Sequence, residues 1–256
     1  MKFTKILGID IGGSGIKGAP VNTKAGSMLG ERYRIATPEP SLPEAVAEVI
    51  REMVKHFSWE GPVGCGFPAA VQQGVARTAA NIDHSWIGTD VDRLFSERTG
   101  LPVTVVNDAD AAGLAEMKFG AGKGHKGTVL LLTIGTGIGT VLFTSGKLVP
   151  NLEMGHIEMK GSDAELLISD VTRKKEELSW EEWAGRFNEY LKEMERLLWP
   201  DLIILGGGGS KKADKFLQFL HVNAPIVIAR LLNDAGLVGA ALAASYMHKI
   251  KKNEVA

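Results

Sequence analysis

The chain has one cysteine, Cys65, in 256 residues. That excludes an intramolecular disulfide and any cysteine-built metal site. It also lacks an excess of charge: 29 Lys and Arg stand against 30 Asp and Glu, a formal charge of −1. Without net positive charge there is no global footprint for nucleic acid or an anionic membrane, so an anionic ligand must be held by local groups. Long hydrophobic runs are missing too. The longest weakly polar stretch, Ala235 to Met247, is 13 residues, short of the roughly 20 needed to span a bilayer, and reads as a buried helix. Met1-Lys2-Phe3-Thr4-Lys5 enters a strand-like segment with no signal-peptide core. No Pro/Ser-rich linker or low-complexity tract divides the chain. The expectation is a soluble, cytoplasmic protein that binds no nucleic acid and no membrane, with room for one large domain or two lobes.

What the sequence has is glycine: 31 residues, clustered at Gly8 to Gly18, Gly120 to Gly127, Gly135 to Gly139 and Gly206 to Gly209. Around these clusters, hydrophobic patterning predicts strands at Ile6–Ile11, Ile16–Val21, Gly30–Ile35, Val63–Phe67, Val103–Val106, Thr128–Ile134, Ile138–Thr144 and Leu202–Leu205. Leu42–Phe57 has apolar residues at helical spacing, with Ser41 as N-cap before Pro43. An Ala-rich helix is expected from Ala109 to Phe119, and a last one after Asn233-Asp234. Ser179-Trp180-Glu181-Glu182 reads as a capping box. It opens a helix whose stripe of Trp180, Trp183, Phe187, Leu191, Met194 and Leu198 is core. Strands and helices alternate, so the class is α/β.

There is one internal echo. Asp10-Ile11-Gly12-Gly13-Ser14-Gly15-Ile16-Lys17-Gly18 resembles Thr133-Ile134-Gly135-Thr136-Gly137-Ile138-Gly139-Thr140. Each follows an apolar strand and leads into a second one, which suggests two similar lobes, each with a glycine hairpin, clamping one phosphate chain from both sides of a cleft. Glycines let backbone N–H groups approach a phosphate, and Ser14 and Lys17 would complete the cradle. Asp10, at the strand end, could orient Mg²⁺ through water. The bland alternative is a tight hairpin whose glycines serve only a positive φ. Gly122 to Gly127 spells G-x-G-x-x-G, but it follows a helix and precedes a strand, the reverse of a dinucleotide fingerprint. No G-x-x-x-x-G-K-[ST] string exists, so a P-loop nucleotidase is excluded.

Three further groups are candidates. Asn107-Asp108 closes a strand and opens a helix, where either residue suits an N-cap, and where a carboxylate could also accept a proton from an alcohol attacking phosphorus. Glu153-Met154-Gly155-His156-Ile157-Glu158 packs donors and acceptors densely enough for a polyhydroxyl ligand, without the helical spacing of a zinc site. The other five histidines show no partner pattern. Of the basic clusters, Lys123 and Lys126 precede the second glycine loop and Lys211 and Lys212 follow the Gly206–Gly209 run, a placement that could extend a phosphate site. Arg173-Lys174-Lys175 lies among acidic residues and reads as surface.

These strings, in this order, resemble the motifs of the ROK sugar kinases of the actin/hexokinase superfamily: Leu7 to Gly18, Asn107-Asp108, Gly135 to Gly139, and Glu153-x-Gly-His156. Ala79-Ala80-Asn81-Ile82-Asp83-His84-Ser85-Trp86, Leu178 to Ala184 and Gly206 to Lys215 are similar to longer stretches of the polyphosphate-using glucokinases within that family. The resemblance implies a two-lobe actin/hexokinase-like (ribonuclease H-like) fold with a central cleft. The N-terminal lobe would span 1–107, joined by a C-terminal helix 236–250, and the other lobe 108–235. It implies phosphoryl transfer to the 6-hydroxyl of glucose with Mg²⁺, from inorganic polyphosphate or ATP, by a homodimer. Asp108 becomes the general base, and Asn107, Asp108, Glu153, His156 and Glu165 become sugar ligands, with Glu165 and Ser169 at the family's E-x-x-x-S spacing. Asp10, Gly12, Gly13, Ser14, Gly15, Lys17, Gly135, Thr136, Gly137, Gly207 and Gly208 hold phosphates, and Lys123, Lys126, Lys211 and Lys212 form a polyphosphate track. Unlike most of that family, the segment Lys160 to Ala164 carries no Cys-rich zinc motif, an absence shared with the polyphosphate-using branch. The alternatives are an ATP-dependent glucokinase or glucomannokinase of the same fold and, from a different class, a non-catalytic sugar sensor. The sensor is disfavoured because the first phosphate strand begins by Ile6, leaving no room for a DNA-binding domain.

Overall fold

A computed structural model describes residues 4–80 and 82–254. Met1 to Phe3 and Asn81, which occur in strings quoted above, lie outside the described residues, as does the side chain of His248. In chain order the elements begin with β1 (Lys5–Gly12), β2 (Gly15–Asn22), β3 (Ser27–Met28), β4 (Tyr33–Ile35), α1 (Pro43–His56), β5 (Val63–Phe67), β6 (Val71–Gln72), β7 (Val75–Ala76), α2 (Val91–Thr99), β8 (Val103–Asn107) and α3 (Asp108–Phe119). They continue with β9 (Val129–Ile134), β10 (Ile138–Thr144), β11 (Lys147–Val149), β12 (Glu158–Met159), β13 (Ser162–Asp163), α4 (Glu165–Ile168), α5 (Asp170–Lys175), α6 (Trp180–Leu198), β14 (Leu202–Gly206), β15 (Ile226–Ile228) and α7 (Ala235–Glu254). Among the described residues no helix is long and apolar enough to cross a membrane.

The chain divides into two compact units. One runs to Phe119 and is completed by the chain from Asp234 onward; the other is Gly120–Asn233. The first is built on a sheet of order β3-β2-β1-β5-β8, with β4 added beside β2. The second is built on a sheet of order β11-β10-β9-β14-β15. In both, an antiparallel hairpin (β1–β2, β9–β10) is followed by two parallel additions. The glycine strings that echo each other in sequence are thus the turns of equivalent hairpins in two sheets of the same plan.

The first unit's core packs Ile9, Ile50, Met53, Phe67, Trp86 and Phe95 between sheet and helices. Helix α1 buries Val46, Ile50, Met53 and Val54, one face at three- and four-residue spacing. Its N-cap is Leu42, not Ser41. The residue before a proline is driven out of the helical region, and Leu42 takes that role with ψ 152°. The Ser41 carbonyl instead accepts from Trp86 Nε1 at 2.7 Å. The strand expected over Gly30–Ile35 is confined to Tyr33–Ile35, and the short β3 was not anticipated. In the second unit Leu130, Leu132, Ile203 and Leu205 meet the stripe of Trp183, Phe187, Tyr190, Leu191 and Met194 on α6. The capping box forms as expected, with Glu182 N–H donating to Ser179 Oγ and Ser179 N–H donating to Glu182 Oε2.

The division falls after Phe119 rather than after Asn107, because α3 packs with α7 inside the first unit. Three glycines let α7 pack against β1, β5 and α3. A Cβ at Gly8 or Gly64 would overlap the Leu237 or Ala240 carbonyl of α7, and one at Gly239 would overlap the Ala111 carbonyl of α3. Backbone meets backbone there, and only glycine fits.

Candidate active site

In the first unit, strand pairing sets a row of charge. Asp10 on β1 faces Lys17 on β2, and Lys17 faces Arg34 on β4. Lys17 Nζ lies 3.7 Å from Asp10 Oδ2. Burial pushes the Asp10 carboxyl above its ordinary pKa, opposed by the charges of Lys17 and Arg32. The two-residue turn Gly13-Ser14 joins the strands. None of Gly12, Gly13 or Gly15 has a left-handed φ, so the hairpin does not require glycine for its dihedrals. A Cβ at Gly15 would overlap the Arg34 guanidinium where it lies, so a side chain there would displace that group. Arg34 Nη2 donates to the Ser14 carbonyl at 2.6 Å, and Thr37 Oγ1 donates to the Gly12 carbonyl at 2.5 Å. Both loop carbonyls are therefore satisfied from the side.

At the end of β8, the cap of α3 is Asn107, whose Oδ1 accepts from Asp110 N–H at 3.0 Å while its Nδ2 donates to the Ala69 carbonyl at 3.2 Å. Asp108 is in the first turn, and its Oδ1 accepts from Ala109 N–H at 2.8 Å. Asp108 therefore stands at the positive end of the α3 helix dipole.

In the second unit β10 joins two candidate clusters. At its start, the turn Gly135-Thr136-Gly137 has Gly135 N–H donating to the Gly137 carbonyl at 3.0 Å. The donors this loop would offer an anion are then the Thr136 and Gly137 amides and the Thr136 hydroxyl. Gly207, with φ 76°, presses on Ile134 so closely that a Cβ would meet that residue's backbone. The Gly206–Gly209 run is thus seated beside the second loop. Further along β10, Thr140 Oγ1 donates to the Leu152 carbonyl at 2.9 Å and accepts from Met154 N–H at 3.0 Å. That fixes the turn holding Glu153 and His156 against the same strand.

His156 is ringed by carboxylates. Its Nδ1 is 3.0 Å from Asp163 Oδ2 and 3.8 Å from Glu165 Oε1, and its Nε2 is 3.8 Å from Glu153 Oε2. Burial works against the imidazolium, yet the hydrogen bond to Asp163 and the charges of Glu165 and Glu153 hold its pKa above the ordinary value. Burial raises the Glu153 carboxyl, with His156 pulling the other way and Glu165 adding to the rise. Lys123, Lys126, Lys211 and Lys212 are all exposed. Ser169 caps α5, accepting from Thr172 N–H at 3.2 Å. Arg173, expected on the surface, is half-buried: it lies 4.1 Å from the Trp180 ring centroid and 3.3 Å from Asp170 Oδ1, where a ring face and a carboxylate both hold a guanidinium.

Motif spacing missed Asp163, Arg34 and Thr37. Asp163 returns to His156 because β12 and β13 form a hairpin around Lys160-Gly161, and that turn was the available signal. Arg34 and Thr37 reach the first loop through β2–β4 pairing, for which the sequence carries no local mark.

Known proteins are similar to this chain along most of its length. A polyphosphate glucokinase of Mycobacterium tuberculosis is 48% identical over 238 residues, 93% of this chain and 90% of that one. The crystal structure of an inorganic polyphosphate/ATP-glucomannokinase from Arthrobacter sp. strain KM matches with a TM-score of 0.92 at 50% identity, covering 96% of this chain and all of that one (100%). A ROK family glucokinase from Streptomyces griseus, in complex with glucose and AMPPNP, matches with a TM-score of 0.81 at 25% identity over 94% of this chain and 99% of that one. The fold is the α/β fold of actin/hexokinase-like sugar kinases. The ROK family model matches residues 6–166, well over half of the sequence, and the chain belongs to the ROK family.

Proposed function

We propose that the chain is a polyphosphate-dependent glucokinase, transferring a phosphoryl group from inorganic polyphosphate to the 6-hydroxyl of glucose. The observation that carries this reading is identity at 48% across 93% of the chain with a protein named polyphosphate glucokinase. The placement of the candidate residues supports it. Asp108 stands in the first turn of α3, directly after β8, and takes the hydroxyl proton. The sugar oxygen bonds to the terminal phosphorus, the bond from that phosphorus to its bridging oxygen breaks, and the shortened chain departs with the electron pair. Asn107, Glu153, His156 and Glu165 bind the sugar's hydroxyls. Asp10, Gly12, Gly13, Ser14, Gly15 and Lys17 hold phosphate, as do Gly135, Thr136, Gly137, Gly207 and Gly208, and Lys17 offsets charge on the transferring group.

Mg²⁺ fits this donor set. Among the described residues no three His, Cys, Asp or Glu side chains gather to cage a metal, and Mg²⁺ at phosphate sites usually takes one or two carboxylates, with water and phosphate oxygens for the rest. Asp10 would hold it through water, and the bound ion supplies neutralising charge to the donor phosphates. The exposed Lys123, Lys126, Lys211 and Lys212 form a track for a longer donor chain, so added salt weakens polyphosphate use more than ATP use.

A second reading has its own support, because the Arthrobacter relative is named for both donors and for mannose as well as glucose. The test is hexose 6-phosphate formation with Mg²⁺, polyphosphate against ATP at matched transferable phosphate, and glucose against mannose. A higher kcat/KM with polyphosphate and glucose is expected. A preference for ATP returns the four lysines to the solvated surface, and no product with any pair overturns the kinase reading.

A further inference from the structure

The phosphate-loop role alone does not explain why residue 137 is glycine. Gly137 has no left-handed φ, yet a Cβ there would overlap Glu165 Oε2. That same oxygen accepts a hydrogen bond from Ile138 N–H at 3.2 Å. The other oxygen, Oε1, lies 3.8 Å from His156 Nδ1, and the Glu165 side chain is only 17% exposed. The carboxylate is therefore wedged against the loop rather than waiting in solvent for a sugar. Five residues on, Asp170 N–H donates to the Gly135 carbonyl at 3.1 Å. Between them α4 is a single turn, closed by Ser169 N–H donating to the Glu165 carbonyl at 3.0 Å. One short segment thus grips the second glycine loop at both ends, through a side chain at one and a backbone amide at the other.

We propose that Glu165 is a positioning residue for the phosphate donor as well as a neighbour of the sugar cluster. It fixes the Gly135–Gly137 loop in the shape that presents its amides, while its second oxygen faces His156. The proposal rests on the kinase reading above. A carboxylate that only bound sugar would leave Gly137 free to carry a side chain, and its loss would change the glucose KM alone. A carboxylate that shapes the loop must alter the donor KM too. A charge-assisted hydrogen bond to a backbone amide is strong enough for its loss to change a KM by about tenfold.

The test is a double-mutant cycle on the full chain, with donor and glucose KM measured separately and thermal unfolding recorded for each variant. Glu165→Ala is expected to raise the donor KM at least about tenfold at saturating glucose, beyond its effect on glucose KM. Gly137→Ala is expected to do the same, because its methyl displaces the carboxylate. The double variant should be no worse than Glu165→Ala, because the methyl then meets no carboxylate. Glu165→Gln keeps an acceptor for Ile138 N–H and should restore the donor KM while leaving glucose KM changed. Additive effects of the two substitutions overturn the proposal, and so does a donor KM untouched by Glu165→Ala. A uniform fall in melting temperature without the KM split, unrescued by Gln, assigns Glu165 a structural role only. Wild-type protein that phosphorylates no sugar with either donor defeats the kinase reading itself, a separate outcome.

Discussion

Arg34 donates from its guanidinium to the carbonyl of Ser14 at 2.6 Å, and it occupies the space that a side chain at residue 15 would need. A loop that binds an anion through its amides must turn its carbonyls elsewhere and satisfy them there. Arg34 does this for Ser14 as Thr37 does for Gly12, and it adds a positive charge beside Lys17. Arg34→Ala should raise the donor KM by about tenfold and leave the glucose KM near its original value. Gly15→Ala should give the same phenotype in wild type but little further effect in the Arg34→Ala background. Steady-state kinetics with each substrate varied in turn decide the matter, and an altered glucose KM in either variant counts against this account.

Asp108→Asn keeps the size of the side chain and an oxygen for Ala109 N–H while removing the carboxylate proposed to accept the proton. Turnover should drop by at least about a hundredfold with glucose binding retained. Isothermal titration with glucose alongside product assays separates the two, and near-normal turnover removes Asp108 from the proton-accepting role.

The pKa of His156 is held above its ordinary value of 6.5 by Asp163, Glu165 and Glu153. A raised pKa for a base means that the folded state binds the proton more tightly than the unfolded chain. The resulting stabilisation is complete below about pH 6.5 and fades as pH rises through the folded value. The stability gap between wild type and His156→Gln should therefore be wider at about pH 6 than at about pH 9 in urea melts. A gap that widens with pH contradicts the carboxylate ring as the cause.

Gly239→Ala would drive a methyl into the Ala111 carbonyl of α3. Overpacking of this kind costs about 1–3 kcal/mol or more, because backbone cannot swing aside as a side chain can. The expected result is a lower urea midpoint with an unchanged denaturant slope. By contrast Gly13→Ala, where a Cβ meets nothing within 4 Å, should leave the midpoint almost where it was.

Strings that are local in sequence were legible without a structure. The echo between Asp10–Gly18 and Thr133–Thr140 proved to be two equivalent hairpins in sheets of one plan, because a turn and its flanking strands are contiguous. The capping box at Ser179 was legible for the same reason. Arg34 was not, since its place beside Lys17 depends on β2–β4 register across a loop with no periodicity. The Arg173 run looked like solvated charge because nothing in Arg173-Lys174-Lys175 tells which cation meets the face of Trp180. At residues 15 and 137 the glycine leaves room for the end of a remote side chain, Arg34 or Glu165. Glycine-rich spelling reports that something must come close but not what comes.

The last helix has a consequence for synthesis. Strands β1 and β5 carry glycines whose missing side chains make room for Leu237 and Ala240, residues that follow the whole of the second unit in chain order. The unit Gly120–Asn233 is contiguous and needs no later segment to complete itself, since domains fold as units. The first unit is completed only by a segment made after the whole of the second. A released chain cut before Asp234 would keep one contiguous unit beside another that lacks its closing helix, a product open to proteolysis in the segment before Gly120 rather than after it.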